Sequence, residues 1–198
     1  MPIPAYTLKA YEKTRVDLAI EHFSTLENPT LSDLNVVRIQ ASVQDGIDSY
    51  RVCAVDMTET DLENEGHSSK RMAGYMEASG DTRPCSSCDC HAMVSGKHKL
   101  AAPMRAVMAW CLMRIDDPRN GCWLPRTYDT RRYMPKWLSE AVPHQGLHNP
   151  RYYAWLEKYI NVQVINGLDD LIVALRQVRT FLQSGALPPE AWPKRKVA

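Results

Sequence analysis

Residues 85–125 read CSSCDCHAMVSGKHKLAAPMRAVMAWCLMRIDDPRNGCWLP, and residues 143–161 read PHQGLHNPRYYAWLEKYIN. In the first stretch a Cys-rich segment ends at His91, and Pro103 opens a helical run, APMRAVMAWCLMRI, that stops before Asp116-Asp117-Pro118. Proline suits the first turn of a helix, where a backbone N–H has no intrahelical acceptor to lose. Asn120-Gly121-Cys122-Trp123-Leu124 reads as a turn followed by a short strand, ended by Pro125. In the second stretch Asn149-Pro150 has the form of an N-cap and first position for the helix RYYAWLEKYINV. His144 and His148 stand just ahead of it. Their spacing of four sets two imidazoles on one side of a helical turn, within reach of one divalent ion.

Outward from this centre, a last helix spans about Gly167 to Gln183, with Leu168, Leu171, Ile172, Leu175, Val178 and Leu182 on one face. It is followed by a basic tail, PKRKVA. Towards the N-terminus, residues 6–27 read as a helix stopped by Asn28-Pro29. Residues 35–57 read as two strands around a turn at Asp45-Gly46, because that dipeptide sits between runs of alternating apolar character. Thr58 to Pro84 is polar and acidic, the pattern of a linker or of a loop with a short helix. The expected fold class is α+β: a ββα core from about 85 to 162, helices around it, and an N-terminal helix-plus-hairpin region.

The 198 residues carry a net charge of +1 that conceals an asymmetry. Residues 1–80 hold seven Lys and Arg against thirteen Asp and Glu, and residues 81–198 hold seventeen against ten. Two domains are expected to divide there, an acidic region 1–80 and a basic region 81–198. A basic half suits a polyanion, since each neutralised phosphate releases counterions; uneven surface charge without a partner is the bland alternative. No apolar run approaches the roughly 18 residues that span a bilayer. The first twenty residues lack the basic-then-apolar order of a cleaved signal peptide.

Of the six cysteines, Cys85, Cys88 and Cys90 crowd together and Cys111 lies in a helical run, a poor disulfide framework for this length. Reduced thiols in a cytosolic setting are expected. Cys85-x-x-Cys88 has zinc-ligand spacing, and Cys90 and Cys122 are the residues that can complete a structural site. Small buried thiols are the competing reading.

The order of these features resembles the AHH family of HNH (ββα-metal) nucleases, over about residues 85–162. That family has a His-His pair ending a strand, a helix rich in Ala and Arg, an Asp- and Asn-containing turn with NG and LP, and an HxGxH-like motif leading into a helix with paired aromatics. The resemblance implies one divalent metal ion (Zn, Mg, Mn or Ni) held by His91, His144 and His148, with Asn120 steadying the catalytic histidine. It implies a DNA endonuclease, a bacterial toxin or effector with a cognate immunity protein. Such a protein is made in the cytoplasm and exported without a signal peptide to act in a target-cell cytoplasm. The family's second histidine, its general base, falls on Ala92, a natural or engineered departure that implies an impaired enzyme. A one-residue shift would instead pair Cys90 with His91, making Cys90 a soft ligand and His91 the base.

Around the site, Lys97, Lys99, Arg105, Arg126, Arg131 and Arg132 are candidate phosphate contacts, with ordinary exposed charge as the alternative. His98 reads as a surface histidine, and His67 belongs with the acidic region. Tyr152, Tyr153, Trp155 and Tyr159 read as helix-packing residues. The competing function is a non-enzymatic Cys/His zinc module that binds nucleic acid or protein. A closed Cys-rich site would favour the module, and an open three-histidine site the nuclease.

Overall fold

A computed structural model describes residues 13–194. The first part of the helix expected over 6–27 and the end of the basic tail lie outside the described residues. Four helices come first: α1 (Arg15–Thr25), α2 (Leu31–Val52), α3 (Glu59–Glu63) and α4 (Ser69–Ala78). Then follow β1 (Cys88–Ala92), α5 (Ala102–Trp110), β2 (Gly121–Pro125), α6 (Pro150–Leu156) and α7 (Leu168–Ser184). The fold is α+β, with one two-stranded antiparallel sheet among helices.

The hairpin expected over 35–57 is instead most of α2, a helix of 22 residues. Thr30 and Asp33 form a reciprocal capping box at its start, satisfying N–H groups that a helix end leaves free. Gln44 bonds Asp48 across one helical turn at 2.9 Å, straddling the Asp45-Gly46 pair. Ile47 and Tyr50, three residues apart, are its buried residues. The Asp-Gly turn signal is local and weak; the cap and the i,i+3 burial outweigh it. The Thr58–Pro84 segment is likewise ordered, and it carries α3 and α4.

β1 and β2 pair with Cys90 opposite Trp123, His91 opposite Cys122 and Ala92 opposite Gly121. One face of this ribbon packs on Met72 and Met76 of α4, both fully buried. These methionines precede residue 80 and belong to the main core. The outer edge of β2 is closed by α7, where Arg179 and Gln183 donate to the carbonyls of Gly121 and Trp123. Unpaired strand carbonyls are thereby satisfied without a third strand. Leu171, Leu175, Val178 and Leu182 form the buried stripe of α7, while Leu168 is exposed.

Three arginine–carboxylate pairs tie the N-terminal helices to the 114–117 turn. Arg51 reaches Asp117 at 2.8 Å, Arg71 reaches Asp116 at 2.6 Å, and Arg114 reaches Glu65 at 2.5 Å. Gly121 is where the ribbon and α4 come closest, and a Cβ there would run into Met76 Sδ and stand 3.1 Å from Met72. Gly121→Ala restricts the unfolded chain, which stabilises by roughly 0.5–1 kcal/mol, but overpacks a filled core, which costs about 1–3 kcal/mol. A net loss of about 1 kcal/mol or more is expected in urea unfolding, and an unchanged midpoint would refute this packing account.

Candidate metal centre

Side chains alternate across a strand, so the two faces of β1 carry different chemistry. Cys90 lies with Met76, its Sγ 3.5 Å from the methionine sulfur. Ala92, two residues on and opposite Gly121, shares that α4-facing side. Asp89 and His91 project from the other face. The position expected to point into a metal cleft, Ala92, therefore faces the core instead. Cys90, the soft ligand of the shifted register, also lies on the far side from His91.

His144 and His148 reach His91 from a loop, and not from one side of a helical turn as their spacing suggested. The loop is pinned to the end of β2 by His144 N–H donating to the Pro125 carbonyl at 2.8 Å and Gln145 N–H to Arg126 at 3.0 Å. It then reverses through a turn closed by Leu147 N–H on the His144 carbonyl, 3.1 Å. Gly146, at φ +80°, supplies the left-handed position of that turn. His148 stands immediately before Asn149, which caps α6 through the N–H groups of Arg151 and Tyr152.

One ring nitrogen from each of His91, His144 and His148 lies within 4.8 Å of the other two. The hydrogen bonds select the nitrogens. Tyr152 donates its hydroxyl to the Met93 carbonyl at 2.9 Å, so its oxygen receives the long contact, 3.4 Å, from His91 Nε2. That leaves the lone pair on His91 Nδ1, which is buried with no hydrogen-bond partner. His144 Nδ1 faces Asp89 at 3.2 Å, the carboxylate–imidazole arrangement that orients a metal-bound histidine and leaves Nε2 for the ion. His148 Nδ1 bonds Tyr153 at 2.7 Å.

All three donors suit a divalent ion, and the buried unpartnered Nδ1 is an atom that such an ion would satisfy. Burial, then the neighbouring imidazoles His148, His144 and His67, holds His91 well below its ordinary pKa. Burial, then His144, His98 and His67, lowers His148 to about 4. Both rings are thus neutral near pH 7, the state a metal needs.

Asn120 is fully buried and stitches the loop after β1 to the turn before β2. Its side chain accepts from Val94 N–H at 2.8 Å and donates to the carbonyls of Val94 and Ile115. Lys97 and Lys99 are exposed on the loop that follows. Arg126 is exposed beside Asp89 at 3.1 Å. Arg105 is committed elsewhere: it binds the carbonyls of Glu63, Ser95 and His98, so it clamps the loop and is not free for phosphate. Arg131 pairs with Glu140 and Ser139, and Arg132 lies over the Tyr133 ring.

Cys85, Cys88, Cys90 and Cys122 do not converge. Cys85 and Cys88 lie together at 3.6 Å against Met134, whereas Cys90 and Cys122 occupy opposite faces of the ribbon. All six cysteines are free thiols. Sequence reading passed over Asp89, legible in principle as the i−2 neighbour of His91, and the hydroxyls of Tyr152 and Tyr153. It also set aside His98 and His67. His98 stacks on Tyr153, with ring centres 4.5 Å apart, and His67 adds to the field at both His91 and His148.

An antiparallel ribbon followed by a helix, with three histidines gathered beside it, is consistent with the ββα arrangement of an HNH-like nuclease domain. The pattern of the AHH family, a nuclease family of the HNH/ENDO VII superfamily with conserved AHH, matches residues 72–177, more than half of the chain. The chain belongs to this family. The sequence contains no Ala-His-His triplet and no adjacent pair of histidines. Searches of curated proteins and of solved structures found no match.

Without an ion, a buried and a half-buried imidazole, His91 and His148, are each held in the neutral form. In the unfolded chain both titrate near their ordinary value of 6.5, and in the folded chain only well below it. Between about pH 4 and 6.5 the unfolded state therefore binds more protons, and stability falls as pH falls through that window. Metal-stripped protein should unfold at lower urea at pH 5 than at pH 7.5. A midpoint indifferent to pH over this range would contradict the burial of these rings.

Proposed function

We propose that this chain is a metal-dependent endonuclease that hydrolyses DNA phosphodiester bonds. The observation that carries the reading is the fully buried His91 with its partnerless Nδ1 grouped with His144 and His148 in a chain of a nuclease family. These three residues would hold one divalent ion. When bound, the ion polarises the phosphate and stabilises charge on the leaving O3′.

The chain's own residues supply the rest. Asp89 fixes the tautomer of His144, and Tyr153 holds His148. Asn120 keeps the loop after His91 in register with the turn before β2. Lys97, Lys99 and Arg126 offer exposed cations beside the site for the phosphate backbone. Carried over from the family, the base position falls on Ala92, and a methyl group takes no proton. Loss of a well-placed base costs about 10²–10⁴-fold, so position 92 alone would make a slow enzyme.

The finer proposal is an antibacterial effector, made in the cytoplasm, exported to act in a target-cell cytoplasm and matched by an immunity protein in the producer. It rests on resemblance to the family. For residues 1–80, which hold none of the three histidines, we propose a role integral to the domain, with α4 packed under the ribbon. The zinc-module alternative lacks a gathered Cys set among the described residues.

Incubation of supercoiled plasmid with a panel of Mg, Mn, Ni and Zn tests the reading. Nicking that requires a divalent ion and stops with EDTA is expected. The same ion should raise the melting temperature of the wild type and not that of His148→Ala. A wild-type melting temperature unmoved by every ion would remove the metal site from the proposal.

A further inference from the structure

Ala92 cannot take a proton, so a base for the attacking water has to come from elsewhere. Two further imidazoles stand by the trio, and their hydrogen bonds separate them. His98 Nδ1 accepts the Leu100 backbone N–H at 3.2 Å. The single proton of the neutral ring is then on Nε2, which can donate to a phosphate oxygen but has no lone pair to receive a proton. His67 has the reverse arrangement. Its Nδ1 lies 2.5 Å from Asp116 Oδ1, and a carboxylate only accepts, so Nδ1 carries the proton and Nε2 keeps its lone pair. Nε2 of His67 has no protein partner among the described residues.

The dyad is built into the fold. Asp116 is fully buried and receives Arg71 Nε at 2.7 Å and the Ser68 N–H at 3.0 Å, which fixes the carboxylate that fixes the ring. The His67 side chain is 22% exposed, so water reaches it. A Cβ at Gly96 would stand 2.6 Å from His67 Cβ, so glycine is what lets the loop leading from His91 to His98 close on this residue. His67 is also near enough for its charge to bear on His91 and His148. It precedes the segment matched by the family pattern, so no family residue carries over to it.

We propose that His67 is the general base of the hydrolysis, with Asp116 as its positioning residue. This rests on the nuclease reading above. His67 Nε2 takes a proton from water as the water oxygen bonds to phosphorus. The phosphorus–O3′ bond breaks with its electron pair on O3′, which takes a proton from solvent, and protonated His67 returns its proton to solvent. The products are a 3′-hydroxyl and a 5′-phosphate end, with one water consumed.

The test uses the full chain with the ion that supports plasmid nicking, cutting duplex DNA under single-turnover conditions. His67→Ala, the more conservative His67→Gln and Ala92→His are compared with wild type. Cobalt(II) absorption reads the three-histidine site independently of activity. Wild type should cut despite Ala92, and both His67 variants should lose at least about 10² in maximal rate. The half-saturating DNA concentration and the cobalt spectrum should not change. Added imidazole should restore part of the rate of His67→Ala, and Ala92→His should gain nothing. His67 variants within threefold of wild type, or a cobalt spectrum lost with His67, would overturn the assignment. A gain of about 10² or more in Ala92→His puts the base at position 92 and overturns it while leaving the nuclease reading standing. Wild type and Ala92→His both inert with every ion would sink the nuclease reading itself.

Discussion

The structure turns on a fully buried imidazole. His91 sits at zero exposure with one nitrogen unpartnered, and leaving such a group unsatisfied costs about 1–3 kcal/mol. The fold tolerates this because the ribbon around it is packed on both faces, by Met72 and Met76 on one and Tyr152 on the other. A divalent ion reached by His144 and His148 would satisfy the orphaned nitrogen, so ligand binding and local stability become one quantity. Burial also keeps the ring neutral and so available as a donor.

A second constraint organises the approach to that site. The carboxylates of Asp116 and Asp117 are buried in the turn that leads into β2, and each is held by an arginine from the N-terminal helices. Because the arginines are partly exposed, such pairs add little net stability, but each offsets the cost of burying its carboxylate. Their effect is positional: they set α2 and α4 against the 114–120 segment, and Asn120 passes that registration to the loop after β1. The N-terminal helices are thus linked to the β1–β2 ribbon through specific polar contacts as well as through the shared core.

Much of the centre could be read along the chain. Pro103, the Asn149-Pro150 cap and the 3.6-residue stripe of α7 announce helices through signals that act within a turn or two. The three histidines could be named because their order among those elements resembles a known nuclease pattern. The same local reading failed over 35–57, where an Asp-Gly pair between apolar residues suggested a hairpin. The capping box at Thr30 was equally present in the sequence, but propensity cannot weigh a cap against a turn without knowing which apolar residues are buried. Ile47 and Tyr50 answer that only in three dimensions.

What the sequence by itself determined is the inventory and the order: an α+β chain of the AHH nuclease family, its three candidate ligands, the asparagine ahead of its second strand and the absence of a His-His pair. Only the tertiary structure decided directions and partners. Strand alternation and register turned Ala92 and Cys90 towards α4, sent Cys122 to the other face, and so dissolved the cysteine cluster that spacing suggested. A Gly146 turn, and not a helix face, brought His144 and His148 together. The pairing of His67 with Asp116 joins residues 49 apart in the chain. Propensities act over a few residues, whereas the direction of a side chain and the tautomer of an imidazole depend on atoms that only folding brings within 3 Å.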